Sequence, residues 1–129
     1  MAVPYTEREA STIREYVRRR IRARARSRTR LLSRARSDSA AIVELMAREL
    51  SPSRIYQWGS LVQESHFSEL SDIDLAVEGV ADSRKLHEMH GDLQRLTAFD
   101  LDIVRIESLP PAAADNIRRW GRVVYEASG

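Results

Sequence analysis

A chain of 129 residues can fold as one domain with a real core, plus an extension, and is too short for two domains of ordinary size. It contains no cysteine, which excludes a disulfide framework and a thiolate zinc site. No apolar run approaches the roughly 18 residues of a membrane span, and no signal-peptide core opens the chain, so a soluble, cytoplasmic protein without membrane contact is expected. The net charge of +2 hides an asymmetry: residues 1–54 carry 14 arginines against 6 acids, and residues 55–129 carry 7 basic residues against 13 acids. A basic arm on an acidic body implies separate partners for each, with cations drawn to the body.

Thr6-Glu7-Arg8-Glu9 has the spacing of a capping box, a hydroxyl with glutamate three residues on, so a helix is expected to start at Thr6. Ile13, Val17 and Ile21 give it one apolar edge, which continues loosely through Ala25 to Leu31, Leu32 and Ala35. Arg18, Arg19, Arg20, Arg22, Arg24, Arg26, Arg28 and Arg30 surround it, with no acid between Glu15 and Asp38. Such a helix repels itself unless packing or a polyanion neutralises it. RNA or another polyanion, or an acidic protein or self-association surface, are the partners this segment suggests.

Asp38 or Ser39 is expected to cap a second helix with Ala41, Ile42, Leu45 and Met46 on one face, stopped by Ser51-Pro52-Ser53. The division expected is a basic helical extension over 1–37 and a domain over 38–129. Arg54 to Trp58 reads as a first core strand ended by Gly59. A polar connection follows over 61–71, and a second strand runs to about Val77 before the Glu78-Gly79 turn. Asp82 or Ser83 caps a helix with Leu86, Met89, Leu93 and Leu96 as its buried face. A strand from Leu101 to Ile106, a break at Ser108-Leu109-Pro110-Pro111, a short helix through Ile117 and Trp120, and a last strand over Arg122 to Tyr125 complete the chain.

The chemistry concentrates in Gly59-Ser60, Ser71-Asp72-Ile73-Asp74 and Asp100-Leu101-Asp102. In a strand, residues i and i+2 share a face. Asp72 and Asp74 therefore project together while Ile73, Leu75 and Val77 bury themselves on the other side. Two carboxylates so placed in a half-buried strand call for a positive charge between them, and a divalent cation with oxygen ligands supplies one. Asp100 and Asp102 also share a face, so strand parity does not separate them as a third ligand.

His87 and His90 stand three apart, not at the i, i+4 spacing of helical zinc ligands, and read as exposed or half-buried helix residues. His66 reads as a loop histidine, and Trp58 and Trp120 as core or subunit-contact residues of an oligomer.

The ordered set of Gly-Ser, a polar connection, Asp-x-Asp on one strand and Asp on a later one resembles the nucleotidyltransferases of the DNA polymerase beta superfamily, in particular the minimal nucleotidyltransferases (MNT). The match covers roughly Ile55 to Tyr125, including Ser108-Leu109-Pro110-Pro111 and Gly121-Arg122-Val123-Val124-Tyr125. The resemblance implies an α/β fold, a small mixed sheet flanked by helices. It also implies transfer of AMP from ATP to an acceptor hydroxyl, with two Mg²⁺ ions, or Mn²⁺ in their place, held by Asp72, Asp74 and Asp102. Register with the family, counted back from Ser108-Leu109-Pro110-Pro111, selects Asp102 over Asp100. Gly59 and Ser60 are then the phosphate-binding turn, and Ser71 orients Asp72 or caps the turn before it.

Family members usually have a basic or aromatic residue after Gly-Ser and a second glycine nearby, where this chain has Leu61 and Glu64. No Lys or Arg occurs between Ile55 and Ser83. Triphosphate charge is thus left to metal and backbone, or to Arg84 or Lys85. The resemblance further implies an antitoxin role beside a HEPN-type toxin protein. The alternative is a catalytically degenerate binding protein that neutralises a toxin or binds RNA through its arginine-rich helix.

Overall fold

Thr6 starts the first helix as its capping box predicts. In the computed structural model, which describes residues 6–62 and 67–128, the Glu9 amide donates to Thr6 Oγ1 at 3.1 Å and the Thr6 amide donates to Glu9 Oε2 at 2.8 Å. Helix α1 spans Glu7–Leu50. It does not break at Asp38 or Ser39, so the expectation of two helices is corrected. Nothing between Thr29 and Leu50 is a glycine or proline, and the two candidate caps have other partners. Asp38 Oδ2 accepts from Thr97 Oγ1 at 2.7 Å, and the buried Ser39 Oγ accepts from Gln57 Nε2 at 3.2 Å. Side chains engaged in tertiary hydrogen bonds leave the backbone free to continue its helix. Ser51, at φ 47° and followed by Pro52, ends it.

The other elements follow as β1 (Arg54–Trp58), a single 3-10 turn (Gly59–Leu61), β2 (Ile73–Glu78), α2 (Ser83–Gln94), β3 (Leu101–Arg105), a second 3-10 turn (Ile106–Ser108), α3 (Pro111–Trp120) and β4 (Arg122–Glu126). Asp82 caps α2, its Oδ1 accepting from the Arg84 amide at 2.8 Å. Leu86 and Leu93 are buried and Met89 is half-buried, but α2 ends at Gln94, so Leu96 lies beyond it and is exposed. His87 is exposed. His90 is half-buried, with Nε2 3.2 Å from the Leu101 carbonyl oxygen. His66 and Glu64 lie outside the described residues.

The chain divides into two compact units, Met1–Arg30 and Leu31–Gly129. In the first, α1 is exposed along nearly its whole surface, including Ile13, Tyr16, Val17 and Ile21. In the second, the four strands form one mixed sheet in the order β3-β2-β1-β4. β1 is antiparallel to both β2 and β4, and β2 is parallel to β3.

The period-2 pattern of the strands gives the sheet two apolar faces. Ile55, Ile73, Leu75, Val77 and Leu101 face the main core, with Leu32, Ala35, Ile42 and Met46 of α1 and Leu86 and Leu93 of α2. Tyr56, Ala76 and Ile106 face a smaller core with Ala114 and Ile117 of α3, against which Trp58 and Val104 also pack. α3 is further tied to the sheet by Glu78, which accepts from Arg118 Nε at 2.8 Å and from the Tyr56 hydroxyl at 3.1 Å.

Candidate functional site

Because Ile73, Leu75 and Val77 commit one face of β2 to the main core, Asp74 is left on the face that α3 covers only in part. Register then sets its neighbours. Asp74 pairs with Trp58 of β1 on one side and with Asp102 of β3 on the other. Paired residues in adjacent strands share a face, so Asp74 and Asp102 lie side by side, and Asp72 precedes them at the same end.

Asp74 is half-buried, whereas Asp72 and Asp102 are exposed. Burial, then Asp102, then Asp72 raise the Asp74 carboxyl from 3.8 to about 6. Desolvation and like charge both oppose its ionisation. Asp100 is not the residue paired with Asp74; its carbonyl oxygen accepts from the Ile73 amide at 2.8 Å, joining the starts of the two strands.

Gly59 is built into the same site. It stands at φ 72°, in the left-handed region, and a Cβ there would collide with Asp74 Oδ2 and lie 3.1 Å from Asp74 Cγ. Its glycine is required twice, by the backbone turn and by the carboxylate lying against it. The 3-10 turn it opens contains Ser60 and is closed by the Val62 amide donating to the Gly59 carbonyl oxygen at 3.1 Å. Ser71 closes a different turn: its Oγ accepts from the Ser68 amide at 2.9 Å. It holds residues 68–71, the turn before Asp72.

The charges the sequence suggested for phosphate are elsewhere. Arg84 and Lys85 open α2, after the end of β2 where Glu78 pairs with Arg54, whereas Asp74 lies near its start. The length of the strand separates them from the carboxylates. The C-terminal segment adds an aromatic wall beside Gly59 and a cation stacked on it. A cleft of about 220 Å³ beside Gly59 is walled by Trp58, Asn116, Trp120 and Gly121. The Arg119 guanidinium lies 5.2 Å from the centre of the Trp120 ring. Trp120 is 68% exposed, and Trp58 Nε1 is buried without a hydrogen-bond partner among the described residues. Only the folding of α3 onto the sheet brings Asn116, Trp120 and Gly121 to Gly59, and their one sequence signal is the family-like segment from Ser108 to Tyr125.

The donor chemistry of Asp72, Asp74 and Asp102 is that of a hard divalent cation, all carboxylate oxygen. Among the described residues no three acidic or histidine side chains stand assembled as a ligand shell. The carboxylates are neighbours that a cation would have to draw together. Burial, with Asp102 and Asp72 beside it, disfavours the ionised form of Asp74, and a bound cation would favour it.

The family model described as polymerase beta, nucleotidyltransferase matches residues 40–129, and the chain belongs to that family. Its mixed sheet and flanking helices are the polymerase-beta-like nucleotidyltransferase fold. Members of the family generally use a nucleoside triphosphate and divalent metal ions.

Among solved structures, the fold is similar to that of a toxin-antitoxin determined with AMP-PNP, at 22% identity and TM-score 0.56 over 69% of this chain and 74% of that one. It is also similar to a variant of the toxin-antitoxin MntA-HpeT in which two aspartates one residue apart are replaced by glutamate. That likeness has 22% identity and TM-score 0.57 over 68% and 72% of the two chains. A protein described as a minimal nucleotidyltransferase is similar at 24% identity and TM-score 0.57 over 70% and 92%. No curated protein sequence matches the chain significantly.

Proposed function

We propose that the chain is a Mg²⁺-dependent nucleotidyltransferase that moves AMP from ATP to a hydroxyl on a partner protein, as the antitoxin of a HEPN-type toxin. The observation that carries this reading is the registered pair Asp74 and Asp102, with Asp72 beside them, against the glycine turn at Gly59. The structure with AMP-PNP and the toxin-antitoxin pairs among its fold relatives support the nucleotide and the partner. The Asp-x-Asp spacing altered in one of those pairs is also that of Asp72 and Asp74.

Asp72, Asp74 and Asp102 would hold the divalent ions, which when bound supply charge neutralisation at the α-phosphorus and at the leaving pyrophosphate. Asp102, paired with Asp74, would accept the proton of the attacking acceptor hydroxyl. Gly59 keeps the backbone free of a side chain where the phosphates approach, and the Ser60 hydroxyl and neighbouring amides donate to their oxygens. The cleft between Gly59 and Trp120 offers a nucleoside an aromatic surface. Arg119 lies against the ring of Trp120, which walls that cleft.

The reading is tested by incubating the protein with labelled ATP, Mg²⁺ and the protein encoded by the neighbouring gene, followed by mass spectrometry of both chains. Addition of one AMP to the partner, lost in Asp72→Ala/Asp74→Ala, is the expected result. Absence of any adduct, together with no change of melting temperature on adding Mg²⁺ and ATP, would overturn it. The binding-only alternative predicts that the partner is neutralised equally well by the double variant.

A further inference from the structure

The arginine-rich part of α1 has no role in the carboxylate site, and its geometry is unusual for a solvated face. From Arg18 to Arg30 it carries eight arginines and no acid. All eight are exposed, on a helical rise of about 18 Å. That is one positive charge per roughly 2.3 Å, close to the one negative charge per about 1.7 Å of a nucleic acid duplex. Arg22 reaches back to Glu15 at 3.3 Å, and Arg20 donates to the Tyr16 hydroxyl at 3.0 Å. Among the described residues, Arg18, Arg19, Arg24, Arg26, Arg28 and Arg30 have no carboxylate partner.

The distribution of these charges around the axis decides what kind of surface they fit. At about 100° per residue, Arg24 and Arg28 lie on the side that Ile13, Val17 and Ile21 occupy one to three turns earlier. Arg19 and Arg26 lie nearly opposite. A flat partner, whether a membrane or the acidic face of a protein, can neutralise only one side. A membrane would also have to take Arg24 and Arg28 in line with the apolar edge, where charge is costly. Charge on all sides suits a helix lying between two walls of phosphate. The B-form DNA major groove, about 12 Å wide, admits an α-helix, whereas that of A-form RNA is deep and narrow. Arginine's planar fork suits phosphate oxygens on either wall.

We infer that the segment Arg18 to Arg30 docks in the major groove of duplex DNA, making phosphate contacts from opposite sides of the helix. Such contacts carry no base preference of their own.

The test uses the full chain and fluorescence anisotropy with a labelled 20-base-pair DNA duplex, an RNA duplex of the same sequence and phosphatidylserine vesicles. Affinity for DNA is expected to fall by about a thousandfold between 50 and 200 mM salt. Arg24→Ala/Arg28→Ala and Arg19→Ala/Arg26→Ala should each weaken DNA binding and each reduce the salt slope by about two. Alanine is the best helix former, so α1 is retained, which circular dichroism checks. Loss confined to one pair indicates a one-sided contact and overturns the groove. So does RNA or vesicle binding as tight as DNA binding, and so does no DNA binding at 50 mM salt.

Discussion

Asp74→Asn isolates the electrostatic state of the site. In the folded protein the Asp74 carboxyl stands at about 6 against its ordinary 3.8, raised by burial, Asp102 and Asp72 in that order. Ionising it therefore works against the fold. The stability associated with its protonated form is complete below about pH 4 and is lost as pH rises through 6. Taken whole, the difference amounts to about 3 kcal/mol. Asp74 is half-exposed, so screening by water reduces this to roughly 1 kcal/mol.

Asparagine keeps the shape and cannot ionise. Without divalent metal, Asp74→Asn should match wild type at about pH 3.5 and melt about 4 °C higher at pH 7.5. Millimolar Mg²⁺ should reverse the order at pH 7.5, because a bound cation stabilises the wild-type carboxylate and has less to hold in the variant. Thermal melts at the two pH values, with and without Mg²⁺, read all of this. A variant less stable than wild type at pH 7.5 without metal, or one that keeps the wild-type response to Mg²⁺, would show that the Asp74 charge neither opposes folding nor holds the cation.

Asp102→Asn should lower the Asp74 pKa towards its ordinary value, while Asp100→Asn leaves it unchanged, as followed by NMR titration of the Asp74 carboxyl. Gly59→Ala places a Cβ against Asp74 Oδ2 at a positive φ. It should cost about 2–4 kcal/mol in urea unfolding, combining the left-handed penalty with the collision, and remove the Mg²⁺ response. Ser39→Ala leaves the buried Gln57 amide without its partner and should cost about 1–3 kcal/mol. Ser39→Ala/Gln57→Leu should recover part of that, because both polar groups are gone; a double variant worse than the single would count against the account.

Local chemistry made most of the elements readable. The capping box at Thr6, the Asp82 cap, the strand over residues 54–58 and the proline-led α3 are decided by interactions within a few residues. The acids of the site were legible because strand periodicity puts Asp72 and Asp74 on one face and their order with Gly59 and Asp102 matches a family. The continuity of α1 was not legible. Asp38 and Ser39 are good caps in isolation, and their tertiary partners Thr97 and Gln57 lie far along the chain.

By itself the sequence determined which residue types could meet a cation and a phosphate, and that the first half of the chain is basic. The tertiary structure decided the rest. The parallel register of β2 and β3 sets Asp102, not Asp100, beside Asp74, and the packing of α3 brings Asn116 and Trp120 to Gly59. It also puts Arg84 and Lys85 past the far end of β2. Spacing along a chain fixes which face a side chain takes, but which strands adjoin, and at which end, depends on burying both faces of the sheet at once.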